Sequence, residues 1–173
     1  MAITMSRRVA SGVLTVLASA SLVGITALPA AAGDINCNRT YNRINTDDNV
    51  EVRRGATCVI NGGYIDGNVK VHNGGTLRIA NTTIKGNIQS EGHAYVSASG
   101  NYVDGSIQLE DGRSADITSN RVNGDIQLFS NRGAITVRSN RVDGNLQCKS
   151  NNPAPTGGGN IVKGNKEDQC RRL

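Results

Sequence analysis

The sequence predicts an all-β chain wound as a right-handed parallel β-helix, a solenoid of about six to seven coils of 19–20 residues each. Three observations carry this. The segment SNRVNGDIQL at Ser119 returns as SNRVDGNLQC at Ser139, twenty residues later. The same phrase recurs along the chain as IDG, IKG, VDG, VNG, VDG and VKG, whose glycines Gly67, Gly86, Gly105, Gly124, Gly144 and Gly164 are spaced 19, 19, 19, 20 and 20. Between the glycines, apolar and polar residues alternate with period two, the signature of strands, and no window shows helical spacing. Repeats of this length form solenoids, in which each unit buries its apolar face only by stacking on its neighbours.

Each coil is expected to hold three short extended stretches. One follows the motif glycine, as in NVKV at Asn68, SIQL at Ser106, DIQL at Asp125 and NLQC at Asn145. A second lies mid-repeat, as in TLRI at Thr76, ADI at Ala115 and AITV at Ala134. The third holds the aliphatic residue two before the glycine. Leucine-rich repeats require a leucine and asparagine frame that is absent. Aligned coil on coil, Val50, Val69, Ile88, Ile107, Ile126 and Leu146 form one inward column, and Ile65, Ile84, Val103, Val122, Val142 and Val162 another. Stacking at about 4.8 Å leaves room for little more than aliphatic side chains, which accounts for one Phe and no Trp. Asn101, Asn120, Asn140 and Asn160 fall in one column, where turn asparagines can hydrogen-bond along the axis and tolerate left-handed backbone. The motif glycines are expected to occupy tight turns of positive φ.

At the N-terminal end NRI at Asn42 to Ile44 matches the later NRV, with Asp47 and Asp48 read as a two-residue insertion. That register puts Cys37 and Cys58 in one inward column on adjacent coils, within disulfide reach. At the other end Cys148 and Cys170 stand one coil apart, two columns off. Two disulfides, Cys37–Cys58 and Cys148–Cys170, are therefore expected to staple the ends of the solenoid. Each closes a loop that contributes roughly 3 kcal/mol by chain entropy.

The segment 1–32 reads as a secretory signal peptide: Arg7 and Arg8 precede the apolar VASGVLTVLASASLVGITALP, and AAA at Ala30 to Ala32 supplies the cleavage residues. Residues 33–173 then make a single domain that is soluble, secreted and extracellular, with no membrane attachment after cleavage. Without Arg7 and Arg8 the Lys+Arg count falls from 19 to 17 against 14 Asp+Glu, a net charge of +3. That balance is too mild and too mixed for a nucleic-acid partner, and four cysteines suit an oxidising destination.

With its V-x-G-N-I-Q-L repeat, its signal segment and the ending LQCKSNNPAPTGGGNIVKGNKEDQC, the chain resembles a family of small secreted actinobacterial proteins described as right-handed parallel β-helix repeat proteins of unassigned function. The resemblance runs from about Cys37 to Cys170 and implies export and fold, with no catalytic residues to carry over. A looser likeness is to the bactofilins, β-helical polymer formers with G-N-I coils, which are cytoplasmic or membrane-associated and lack disulfides.

Outward positions supply the candidate functional residues. Gln89, Gln108, Gln127 and Gln147 form one column, and Arg53, His72, Glu91, Glu110, Phe129 and Lys149 another two residues on. A flat ladder of amides repeating at about 4.8 Å suits an extended polymer better than a small molecule, and Phe129 adds a surface for a sugar ring or an apolar patch. The expected activity is that of a non-catalytic structural or binding protein whose partner is extracellular polysaccharide, another protein or further copies of itself. The alternative is a polysaccharide-active lyase or glycoside hydrolase of the β-helix type, for which Glu91 and Glu110, stacked with His72 on neighbouring coils and with Asp111 beside the last, offer two carboxylates about 5 Å apart, a spacing that suits a retaining glycosidase or a cation. The coils are minimal, however, and no long loops wall a cleft that would exclude water. No cofactor or metal site is expected. Asp66, Asp104 and Asp143 share a column with Lys85, Asn123 and Lys163, a pattern that spaces like charges apart rather than gathering calcium ligands. An ice-binding threonine column is also absent, because Thr57 and Thr76 give way to Tyr95 and Ser114.

Overall fold

The computed structural model describes residues 33–173, and the signal segment read over residues 1–32 lies outside them. The described chain is all-β, a β-solenoid of about seven turns built entirely from parallel pairings between successive coils. An eight-stranded sheet forms the first face, from Asp34–Asn36 through Asn49–Val52, Val69–Val71, Ile88–Glu91, Ile107–Glu110, Ile126–Phe129 and Leu146–Lys149 to Lys166–Asp168. An eleven-stranded sheet forms the other two faces. Its long strands Thr57–Ile65 and Thr76–Ile84 run through the corner between them, whereas later coils break there into pairs such as Ser114–Thr118 and Arg121–Val122.

Stacking buries what the alternation predicted. Val50, Val69, Ile88, Ile107, Ile126 and Leu146 pair in register, and all are fully buried. Ile65, Ile84, Val103, Val122 and Val142 are equally buried. Val162, on the last coil, is only partly covered because no further coil stacks above it.

The corners are held by side-chain amides. In the predicted asparagine column, the Asn120 Oδ1 accepts from the backbone N–H and the Nδ2 of Asn101, both at 3.0 Å. Its own Nδ2 donates to the Ala98 carbonyl at 2.8 Å and to Asn140 Oδ1 at 3.0 Å. All four hydrogen-bonding positions of this buried amide are thus filled, and Asn140 repeats the pattern toward Asn160. A second corner carries Asn131 and Asn151, which bond in the same way and end on Gln169.

Two expectations about these corners need correction. The left-handed backbone falls on the residue before each asparagine, at Ser119 (φ 57), Ser139 (φ 56) and Gly100 (φ 65), so that the asparagine itself turns inward. The motif glycines do not have positive φ. They are required by close approach: a Cβ on Gly86, Gly105, Gly124, Gly144 or Gly164 would lie 2.7–2.8 Å from the carbonyl oxygen of the motif glycine one coil earlier. It would also strike the side-chain oxygen of Asn68, Asn87, Ser106, Asp125 or Asn145. Those oxygens accept backbone N–H groups of the next coil. The glycine therefore makes room for a third polar ladder formed by the residue that follows it.

Both predicted cystines are present, with Cα–Cα separations of 5.3 Å for Cys37–Cys58 and 5.2 Å for Cys148–Cys170. The register proposed for the first was wrong. Thr40 pairs with Val59, Thr46 with Ile65 and Val50 with Val69, a constant offset of 19, so Asp47 and Asp48 are not an insertion. Ile44 lies opposite Gly63, two positions away from the Ile65 column. Cys37 therefore precedes the position opposite Cys58, and the bridge forms because the chain turns before it enters Thr40–Thr46.

Candidate binding face

The first face carries the residues singled out as a candidate site, and its flat parallel pairing fixes their spacing. Gln89, Gln108, Gln127 and Gln147 stand in register. Each amide donates to the next, from Gln89 to Gln108 at 2.9 Å, Gln108 to Gln127 at 2.7 Å and Gln127 to Gln147 at 2.8 Å. The register also places Lys70 and Glu51 before Gln89 and Glu167 after Gln147. Gln147 donates to Glu167 at 2.8 Å, while Lys70 pairs with Glu51 at 3.5 Å. Sequence reading stopped at the four glutamines, yet stepping back 19 residues from Gln89 reaches Lys70 and then Glu51. The column is thus a mixed polar ladder with a charged group at either end.

Beside it Glu91, Glu110, Phe129 and Lys149 are paired in register, with His72 one residue past the strand below. Glu91 and Glu110 are exposed and Phe129 is half-buried. His72 turns back to Glu51 at 3.3 Å instead of toward Glu91. Between the two columns lies an open depression of about 680 Å³, lined by Arg54, Lys70, His72, Gln89, Glu91, Gln108 and Glu110 and floored by Val71 and Ser90. The seven candidate residues thus share one face, and four of them line the depression. Arg54 and Asn73 were missed because they lie in the turns beyond the strand ends, where alternation gives no signal, and Ser90 because it holds an inward position between Val71 and Leu109.

The acidic column on the third face is neutralised internally. Lys85 is ion-paired with Asp104, and Lys163 with Asp143 at 2.9 Å. These hydrogen-bonded ammonium groups hold both carboxyls below their ordinary range, while Asn123 donates to Asp104 at 2.6 Å. Among the described residues, no group of three or more His, Cys, Asp or Glu side chains is arranged to hold a metal ion. Likewise none of their helices is long and apolar enough to cross a membrane.

His93 is the one buried imidazole. It occupies the corner later held by Asn131, with its Nδ1 3.1 Å from Ser90 Oγ and its Nε2 without a partner. Gly112, the next residue in that column, leaves the space its ring fills, since a Cβ there would collide with it. Burial lowers its pKa from 6.5 to about 4. Because the folded state then binds the proton less well than the unfolded chain, stability is intact above pH 6.5 and falls as the pH drops toward 4. The loss attributable to this residue amounts to about 3 kcal/mol. Thermal unfolding followed from pH 7 to 4 should show that decline, and His93→Asn should flatten it. An equal slope in both proteins would assign the decline to other groups.

No protein-family model, curated protein or solved structure matches the chain.

Proposed function

We propose that this chain is an exported, non-catalytic β-solenoid that binds an extended extracellular polymer along its first face, with cell-wall polysaccharide the ligand that the face suits best. The in-register ladder of Gln89, Gln108, Gln127 and Gln147 carries this reading. Each internal glutamine spends one N–H and one oxygen lone pair on its neighbours. An amide has two of each, so the ladder keeps a second donor and acceptor per coil at a spacing of about 4.8 Å. Phe129, between Glu110 and Lys149, offers a half-buried ring on which a sugar can stack. A cystine near each end of the solenoid suits an oxidising destination. Glu91 and Glu110 lie exposed on an open surface, which does not enclose a sugar ring and hold it against the two carboxyls as hydrolysis or elimination requires.

Co-sedimentation with peptidoglycan and cell-wall polysaccharide tests the proposal. Phe129→Ala leaves the amide ladder intact, so it should weaken binding about fivefold, as expected for losing one stacking contact of about 1 kcal/mol. Its melting temperature should change by no more than about two degrees. Gln108→Lys with Gln127→Lys should abolish binding and also lower stability by breaking the ladder. No sedimentation of the parent protein, or unchanged binding by Phe129→Ala, contradicts the reading. Release of reducing ends or unsaturated sugars would replace it with the enzymatic alternative.

A further inference from the structure

The corner between the second and third faces presents an arrangement that the first face does not use. In the SNR segments at Ser119 and Ser139 the serine takes the left-handed conformation, the asparagine turns into the core, and the arginine is thereby pointed outward. Arg121 and Arg141 are register partners on adjacent coils, and Arg138 lies on the other side of the turn at Ser139, in register with Thr118 of the coil before. All three are exposed. Like charges directly opposed on neighbouring strands repel, and the repulsion is eased only in part by the Asp143 carboxylate, which attracts Arg121 and Arg141 without forming an ion pair with either. Among the described residues no arginine forms an ion pair, whereas Lys70, Lys85 and Lys163 each have one. The adjacent carboxylates are already engaged, Asp104 by Lys85 and Asn123, and Asp143 by Lys163.

We infer that this corner is a second binding site, and that it takes an extended acidic polysaccharide or phosphate-bearing surface polymer whose negative groups recur at about the 4.8 Å spacing of the coils. The guanidinium fork matches carboxylate and phosphate oxygens in a bidentate manner that an ammonium does not. A nucleic acid fits less well, because the only aromatic ring beside the arginines is the half-buried Tyr102, which Arg121 already covers at 5.7 Å. Single-strand binders instead offer free stacking platforms. The site lies on a different face from the glutamine ladder and does not depend on it.

Affinity for immobilised polygalacturonate, poly(glycerol phosphate) and duplex DNA should be measured at low and physiological salt for the parent protein, for R121Q/R138Q/R141Q and for the charge-matched R132Q/R171Q/R172Q. The expected result is salt-sensitive binding to at least one of the first two polymers. The corner variant should lose about tenfold in affinity, and the control variant should retain the parent affinity. A preference between the two polymers identifies the anionic group. Equal losses in both variants would reduce the effect to net charge and overturn the site. So would tighter binding to DNA than to either polymer, or no binding to any of them.

Discussion

Val122→Asp should prevent folding. Val122 is fully buried and stands in register between Val103 and Val142. The inward column continues as Ile84 and Ile65 below, so a carboxylate placed there meets only aliphatic neighbours. Isolating a charge in such surroundings costs more than the few kcal/mol by which a domain of this size is stable. Protonating the carboxyl still leaves a buried hydroxyl unpartnered. The strand cannot rotate the group to the outside either, since a one-residue slip would carry every inward residue of the coil outward with it. The expected observation is loss of the β circular-dichroism signal and of any cooperative melt. Glu110→Gln, on the outward face of the same coil, should melt within about two degrees of the parent. If Glu110→Gln unfolded the protein while Val122→Asp did not, the faces would have to be exchanged.

Asn120→Ala, like Asn140→Ala, should be among the most damaging substitutions of a polar residue. It removes an amide with all four of its hydrogen bonds. The Asn101 N–H and the Ala98 carbonyl are left without those partners inside a corner that is itself buried. At roughly 1–3 kcal/mol for each stranded group, the total loss is about 4 kcal/mol. Urea unfolding monitored by circular dichroism should show the midpoint fall with little change in slope. A cost below about 1 kcal/mol would mean that solvent reaches the corner and that the ladder is not a structural tie.

Much of this fold is legible in the sequence. The motif glycines set the coil length, and period-two alternation located the inward aliphatic columns. The pairing of the cysteines also followed from coil position, although the register behind Cys37 did not. There the similarity of NRI to NRV pulled Ile44 two positions out of place, because a three-residue match carries less information than the constant offset of 19 on both sides of it. The role of the glycines was misread for a different reason. Sequence shows that a Cβ is forbidden at Gly105 or Gly124, but a positive φ and a close approach both forbid it. Only the neighbouring coil distinguishes them, through the oxygens of Asn87 and Ser106. The second amide corner was hidden because His93 and Gly112 stand where Asn131 and Asn151 later do, so no column of like residues marks it. The four glutamines stand in register as alternation placed them, within a longer column that also holds Glu51, Lys70 and Glu167, yet nothing in the sequence tells whether stacked glutamines bond to each other or wait for a ligand. In the folded chain each does the first while retaining the groups for the second.

Side-chain amide hydrogen exchange, followed by NMR with and without cell-wall polysaccharide, tests most directly the division between amides that hold the fold and amides that face a ligand. The Nδ2 protons of Asn120, Asn131 and Asn140 should be protected to the same degree as backbone amides of the core in both conditions. Those of Gln89, Gln108 and Gln127 should exchange readily in the free protein and slow on addition of polysaccharide. Corner asparagines exchanging at the rate of free amides, or glutamines indifferent to polysaccharide, would contradict the account.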